Sequence, residues 1–313
     1  MPDFESFQLT EEFLLTGAAV KAGIFKALKN GPLTLGELAA ATGSNQRALW
    51  MVTEALISLD YLEHENGRIK LTQECYSVLY NKENPRYQGF AFMHTYHLLP
   101  RWLELPDILR TGKPAPKRES TDEHRSFIEA MSYYAREDAV RIAEYCLEGI
   151  SADSEVLDIG GGPLTIARAF ARKGAKVTIL DLPEVVDMME PELDRSLPLR
   201  MVKGDFTDRL PEGPFDLAYL GHICHIFGEK ENRKLFTDVA GILKKGGRII
   251  INDFIRGTGP EAAVFAVNML VNTDSGGTWT YEQYRTWLED AGFSVSPYEE
   301  IGENQLIKAH LQA

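Results

Sequence analysis

Cysteine is scarce in this chain of 313 residues: Cys75, Cys146 and Cys224 stand far apart. No Cys-x-x-Cys pair or Cys/His spacing is present to hold a metal, and an odd, sparse count suits a reducing compartment. Long apolar runs are also missing. None approaches the ~18 residues needed to cross a bilayer, so no membrane partner is expected. The start, Met1-Pro2-Asp3-Phe4-Glu5, lacks the basic patch and apolar stretch of a secretory leader, which makes the cytoplasm the expected location. Positive charge is short as well. The 33 Lys and Arg against 46 Asp and Glu leave a net charge of -13 at pH 7, the wrong sign for a phosphate backbone, so nucleic acid is not an expected partner. There is no internal repeat and no low-complexity tract.

What is present begins with helical periodicity. Over residues 8 to 29, Phe13, Leu14, Ala18, Val20, Ile24, Phe25 and Leu28 recur at helical spacing and end at Asn30-Gly31-Pro32. Thr34 and Glu37 form a capping-box signature that opens a second helix, and a third follows from about Gln46 to Leu59. Tyr61-Leu62-Glu63 and Arg68-Ile69-Lys70-Leu71 flank Asn66-Gly67, a hairpin signal. Three helices and a hairpin form a winged helix-turn-helix pattern. Its third helix carries a single basic residue, Arg47, which favours a packing or dimerisation module over a DNA reader. Residues 80 to 150 are helical and aromatic-rich, with a loop at Gly112-Lys113-Pro114-Ala115-Pro116. From Glu155 onward, short apolar runs alternate with helical segments, the signature of βαβ units. The length itself argues for two domains. The expected division is a winged-helix-like domain over 1–110, a helical linker over 111–150 and a doubly wound, Rossmann-like α/β domain over 151–313.

The first strand of that α/β domain runs into a glycine turn, Asp158-Ile159-Gly160-Gly161-Gly162, and a helix follows from about Thr165. Glycines permit close backbone approach to a ligand at the helix start. The second strand ends at Asp181, placed about 20 residues on, where a carboxylate can hold both ribose hydroxyls. This pattern alone also suits NAD. Two features oppose that: the turn is not Gly-x-Gly-x-x-Gly, and Asp158 would repel a pyrophosphate while accepting from a cationic α-amino group. The third strand ends at Gly204-Asp205-Phe206, where Asp205 can accept from an adenine amine and Phe206 can flank the ring. Three acids at the carboxyl ends of successive strands lie where open α/β sheets place ligands.

These segments resemble the class I, S-adenosylmethionine-dependent small-molecule O-methyltransferases, the plant-type and bacterial family that includes acetylserotonin-type enzymes. Leu180-Asp181-Leu182-Pro183, Gly246-Gly247-Arg248-Ile249-Ile250-Ile251-Asn252-Asp253 and Trp287-Leu288-Glu289-Asp290-Ala291-Gly292-Phe293 add to the match, which covers nearly the whole chain. The resemblance implies S-adenosylmethionine as cofactor, held around Asp158, Gly160, Gly161, Gly162, Asp181, Leu182, Asp205, Phe206 and Gly221. It also implies a homodimer built by the N-terminal domain.

His225 falls just past the fourth strand, where a neutral imidazole can take a proton from an attacking hydroxyl. The resemblance points to the same residue as general base and puts Asp253 at the position of an acid that orients it. The family pattern is not followed throughout. Ile226-Phe227 replaces Asp-Trp, Thr278 stands where a second acid is usual, and Leu164 stands where a glycine is common. Acceptor contacts by resemblance are His94, His97, Trp102, Phe127, Met131, Asn268, Met269 and Asn272, a set suited to a flat aromatic molecule. The leading expectation is methyl transfer to a hydroxyl of a small aromatic acceptor. The alternatives are N-, S- or C-methylation, a decarboxylase- or hydroxylase-like use of the same cofactor, a ligand-sensing winged-helix regulator and, last, an NAD oxidoreductase.

Overall fold

The computed structural model describes residues 4–116 and 121–312. Residues 1–3, which open the segment considered above as a leader, lie outside the described residues, as do 117–120 of the 111–150 segment. The chain divides into two compact units, Met1–Leu99 with Ser120–Ala130, and Pro100–Glu119 with Met131–Ala313.

The first unit opens with α1 (Phe4–Lys21) and α2 (Ile24–Leu28). The apolar pattern over 8–29 predicts one helix; the structure breaks it at Gly23, whose φ of 77° is left-handed and closed to a continuing helix. Next come α3 (Leu35–Thr42) and α4 (Gln46–Ser58). The capping box forms: Thr34 Oγ1 accepts from Glu37 N at 3.2 Å, and Glu37 Oε2 accepts from Thr34 N at 2.8 Å. Strands β1 (Leu62–Glu65) and β2 (Arg68–Leu71) pair antiparallel, joined by Asn66 and Gly67 at φ 51° and 76°. Two successive positive φ values are what a tight hairpin turn requires. Phe25, Leu38, Leu56 and Leu62 fill the core of this unit. Helices α5 (Gln73–Leu79) and α6 (Gly89–Leu103) follow, then α7 (Leu105–Thr111), α8 (Thr121–Tyr134) and α9 (Ala139–Leu147). The division between the units falls within α6 at Pro100 and within α8 after Ala130.

The second unit is built on one mixed sheet. In chain order its elements are β3 (Glu155–Ile159), α10 (Thr165–Arg172), β4 (Lys176–Asp181), α11 (Pro183–Met189), β5 (Leu199–Lys203), β6 (Phe215–Gly221), α12 (Glu229–Ile242), β7 (Leu243–Asn252), α13 (Pro260–Asn272), α14 (Tyr281–Asp290), β8 (Phe293–Val295), β9 (Glu299–Ile301) and β10 (Asn304–Leu311). The strand order is β5-β4-β3-β6-β7-β10-β8, with β9 on β10. The five strands from β3 to β7 are mutually parallel and β10 enters antiparallel. Strand order reverses between β3 and β6, which puts a ligand crevice at their carboxyl ends. Both faces of the sheet are covered, so strands such as Val156-Leu157-Asp158-Ile159 are buried at every position. Asp158 is the one acid in that run, and a buried acid is costly unless it serves a partner.

Leu164 shows how this unit departs from the family pattern without losing the turn. It has φ 65°, a left-handed value that costs about 1–2 kcal/mol for a residue with a Cβ. Its side chain is nevertheless 1 % exposed, and removing a buried leucine side chain costs about 2–5 kcal/mol. Packing outweighs strain. Leu164→Gly therefore relieves the backbone yet lowers stability by about 1–3 kcal/mol, measured as a fall in urea midpoint at unchanged slope. A rise in midpoint would mean that strain is the larger effect.

Candidate active site

The glycine turn is shaped by what lies behind it. A Cβ on Gly160 would fall 2.3 Å from Ile223 Cδ1, one on Gly161 2.3 Å from Asp158 Oδ2, and one on Gly162 2.7 Å from Asp181 Oδ2. Real Cβ atoms do not approach so closely, so a side chain at any of the three would force its neighbour to shift. Asp181 clamps the turn: Oδ2 accepts from Gly162 N and Oδ1 from Leu182 N, both at 2.8 Å. Burial pushes the Asp181 carboxyl up, and the two backbone donors oppose that. Asp158, beneath Gly161, is pushed up to about 7, first by burial and then by the charge of Asp181. A turn without side chains over a carboxylate able to pair with one positive charge fits the groups that S-adenosylmethionine presents.

Asp205 is placed beyond β5, where its Oδ1 accepts from Thr207 N at 2.8 Å and from Thr207 Oγ1 at 2.6 Å. One carboxylate oxygen is thus spent on a local turn. Phe206 meets Phe227 edge-on, with ring centroids 5.3 Å apart. Gly221 ends β6 beside Tyr219, whose ring lies 2.6 Å from where a Cβ would sit.

His222 and His225 follow β6. His222 has φ 58°, and its N–H is held by Asn252 O at 2.8 Å, so the chain turns sharply at the end of the strand. His225 sits in a single 3-10 turn, Cys224–Ile226, and is 6 % exposed. Asp253, just past β7, binds it twice: Oδ2 accepts from the backbone N at 3.0 Å, and Oδ1 lies 2.6 Å from ring Nδ1. Burial pushes the Asp253 carboxyl up, but the charges and hydrogen bonds of His225, His222 and Phe254 N outweigh it and hold it below its ordinary value. An ionised Asp253 can only accept, so Nδ1 carries the proton and Nε2 is the acceptor of the ring. Tyr284, fully buried, adds a donor to Asp253 Oδ2 at 3.4 Å. Phe265 stands edge-on to the imidazole at 4.8 Å between centroids. His222, His225 and Asp253 offer ligand-type atoms within 4.8 Å of one another. One pair of the three, His225 Nδ1 and Asp253 Oδ1, is already hydrogen-bonded.

Sequence reasoning missed several residues that position His225. Asn232 is fully buried and its Nδ2 donates to the carbonyls of Cys224, Phe227 and Gly228 at 2.9, 3.1 and 3.0 Å. Gly277 N donates to His225 O at 2.9 Å, and a Cβ on Gly276 would fall 2.5 Å from the same oxygen. The segment 276–280, where a second acid is usual in the family, thus supports His225 through its backbone. Thr278 itself is buried and donates to Ala262 O at 2.9 Å. The signal for Asn232 was its place one helical turn into α12, but an asparagine among charged residues reads as solvated.

The acceptor candidates fall in both units. In the second, Asn268 Oδ1 accepts from Trp102 Nε1 at 3.2 Å and from Asn272 Nδ2 at 3.0 Å. Asn272 Oδ1 in turn accepts from Arg101 Nη1 at 2.9 Å, a residue not singled out from sequence. Met269 is buried and Met131 half-buried. In the first unit, His94 and Phe127 have ring centroids 5.2 Å apart, with Phe127 exposed. His97 lies in the same unit, its ring 6.5 Å from that of Tyr96.

Sheet order, glycine turn and carboxylates together define an S-adenosylmethionine-dependent methyltransferase. The chain belongs to the O-methyltransferase domain family, which matches residues 115–294. It is 29 % identical to the tetracenomycin polyketide synthesis 8-O-methyl transferase of Streptomyces glaucescens, over 92 % of this chain and 90 % of that protein. The 3-hydroxy-5-methyl-1-naphthoate 3-O-methyltransferase of Streptomyces sahachiroi is 28 % identical over 88 % of this chain and 84 % of its own. Among solved structures, human N-acetylserotonin methyltransferase in complex with S-adenosylmethionine shares the fold, with a TM-score of 0.77 at 23 % identity, covering 100 % of this chain and 99 % of that one.

Proposed function

We propose that this enzyme methylates a hydroxyl of a small aromatic acceptor, with His225 as general base. The observation that carries the reading is the 2.6 Å pairing of His225 Nδ1 with a buried Asp253, on a loop whose Ile223 packs against the glycine turn. S-adenosylmethionine, when bound, supplies a methyl group on a positively charged sulfur. Asp158 would hold its amino group, Asp181 its ribose hydroxyls, and Asp205, Leu182 and Phe206 its base, while Gly160, Gly161, Gly162 and Gly221 give the backbone room. His225 Nε2 takes the acceptor's hydroxyl proton, and Asp253 stabilises the imidazolium that results. Asn232 and Gly277 keep the loop from turning away. The two relatives named above act on a polyketide and on a hydroxynaphthoate, which supports a flat hydroxylated ring here. His94, His97, Trp102, Phe127, Met131, Asn268, Met269 and Asn272 are the proposed acceptor contacts. The division at 1–110, 111–150 and 151–313, the winged-helix-like arrangement of the first unit, its role in a homodimer, a cytoplasmic location and independence from nucleic acid belong to the same proposal.

The test is incubation of purified protein with S-adenosylmethionine and a panel of hydroxynaphthoates, followed by mass spectrometry and location of the new methyl. A gain of one methylene on oxygen supports the reading. A methyl on nitrogen or carbon, or loss of carbon dioxide, would replace it with one of the other chemistries.

The raised Asp158 carboxyl makes cofactor binding pH-dependent. Its folded value lies above that of the unfolded chain, so the neutral acid stabilises the free enzyme at low pH, and that stability declines as pH rises through about 7. A cation over Asp158 reverses the preference. Binding is therefore expected to tighten from pH 6 to pH 8 and to release a proton near pH 6, read as a buffer-dependent heat in calorimetry. Equal heats in MES and imidazole at pH 6 would remove Asp158 from the binding site.

A further inference from the structure

The second unit holds a cavity of about 240 Å³ that the proposed reaction leaves unused. One wall is a stripe of α10, where Thr165, Arg168 and Arg172 lie at i, i+3 and i+7. Facing it are Ser132 and Arg136, and the small side chains of Ala139 and Ala169 leave the space open. In a chain with 46 acidic against 33 basic residues, three guanidinium groups and, among the described residues, no carboxylate line this cavity. Arg168 donates to the carbonyl of Glu192 at 2.6 Å, and Arg136 lies 5.9 Å from the Tyr133 ring centroid. The acid that Arg168 and Arg172 influence is Asp194, whose carboxylate is already bound by the N–H and hydroxyl of Ser196. Between the two walls Ser132 Oγ and Thr165 Oγ1 lie 2.9 Å apart, and Thr165 Oγ1 also donates to Ser132 O at 3.2 Å, so these hydroxyls are tied to one another and to the backbone.

Arg136 and Arg172 are exposed at the rim and Arg168 is half-buried, and like charges gathered around an open cavity favour an anion there. Guanidinium forks suit oxyanions because each can give two parallel hydrogen bonds; here two come from α10 and one, Arg136, from the turn between α8 and α9. We propose that this cavity binds a phosphate group, carried by a small metabolite or free in solution, at a site separate from cofactor and acceptor. The three arginines supply the charge.

The experiment is calorimetric titration of the full chain with inorganic phosphate and, separately, with ribose 5-phosphate, against sodium chloride at matched ionic strength. Saturable binding of either is expected, with Arg168→Gln, Arg172→Gln and Arg136→Gln each weakening it about tenfold or more, equivalent to about 1.4 kcal/mol. Tighter binding of the ester identifies a phosphorylated metabolite; equal binding identifies free phosphate. Each variant is also titrated with S-adenosylmethionine, and unchanged affinity there shows that the domain remains folded. Binding that survives all three substitutions, a response matched by chloride, or no saturable binding overturns the proposal. So does a shift of Arg168→Gln to lower mass in sedimentation, which would make the cavity a contact between copies of the chain.

Discussion

Replacing His225 by alanine is expected to lower kcat for methyl transfer by about 10²–10⁴-fold, the usual size of a general-base contribution, while S-adenosylmethionine affinity stays within about twofold. The imidazole is the ring that Asp253 orients, whereas the loop is also held by His225 N, by Gly277 N on His225 O and by Asn232 on three carbonyls. Those bonds do not use the side chain, so the turn persists without it. The substitution also strands the buried Asp253 carboxylate, which Phe254 N and Tyr284 still contact, so the midpoint of thermal unfolding falls as well. Assays therefore belong well below that midpoint. Asp253→Asn separates orientation from basicity. An amide cannot enforce the same tautomer, so kcat falls while the imidazole remains. Rates for His225→Ala within about threefold of the parent would show that alignment alone drives the reaction, since orientation can supply about 7–11 kcal/mol.

Gly161→Ala is expected to abolish detectable cofactor binding while leaving the first unit intact. Its Cβ would lie 2.3 Å from Asp158 Oδ2 and 2.4 Å from Asp158 Cγ, atoms at the centre of the sheet with no room to retreat. The backbone must move instead, and overpacking of this kind costs about 1–3 kcal/mol even before the turn is displaced from its ligand. Displacement then breaks the neighbouring clamp in which Asp181 holds Gly162 N and Leu182 N. The combined loss corresponds to about a 100-fold or greater weakening of S-adenosylmethionine, read by calorimetry. An affinity within about threefold of the parent would mean that the turn adapts and that the three glycines are not what admits the cofactor.

Much of this architecture was legible before any coordinates. The alternation of apolar runs and helical segments after Glu155 became β3 to β7 with their crossovers, because strands buried on both faces must be continuously apolar and their connections must be amphipathic. The capping box at Thr34 and Glu37 and the turn at Asn66-Gly67 were equally local, settled by the reach of a side chain and by which residues tolerate positive φ. The acids at 158, 181 and 205 could be placed at strand ends by counting, which is why the cofactor class was readable from one dimension.

The supports of the candidate base were not readable. Asn232, Gly276, Gly277 and Tyr284 lie between 7 and 59 residues from His225 in the chain, and their roles come from contacts that only the packed sheet brings about. Leu164 looked like a missing glycine; the structure keeps it, because a buried leucine side chain outweighs the strain of a left-handed backbone. Arg101 carried no sequence signal, and only its bond to Asn272 links it to the acceptor candidates. Local propensity and spacing thus determined the elements and the ends at which chemistry sits. Which polar atoms meet there, and which carboxyl is held ionised and which is pushed toward neutrality, was decided by tertiary burial, since charge interactions depend on distance and desolvation rather than on order along the chain.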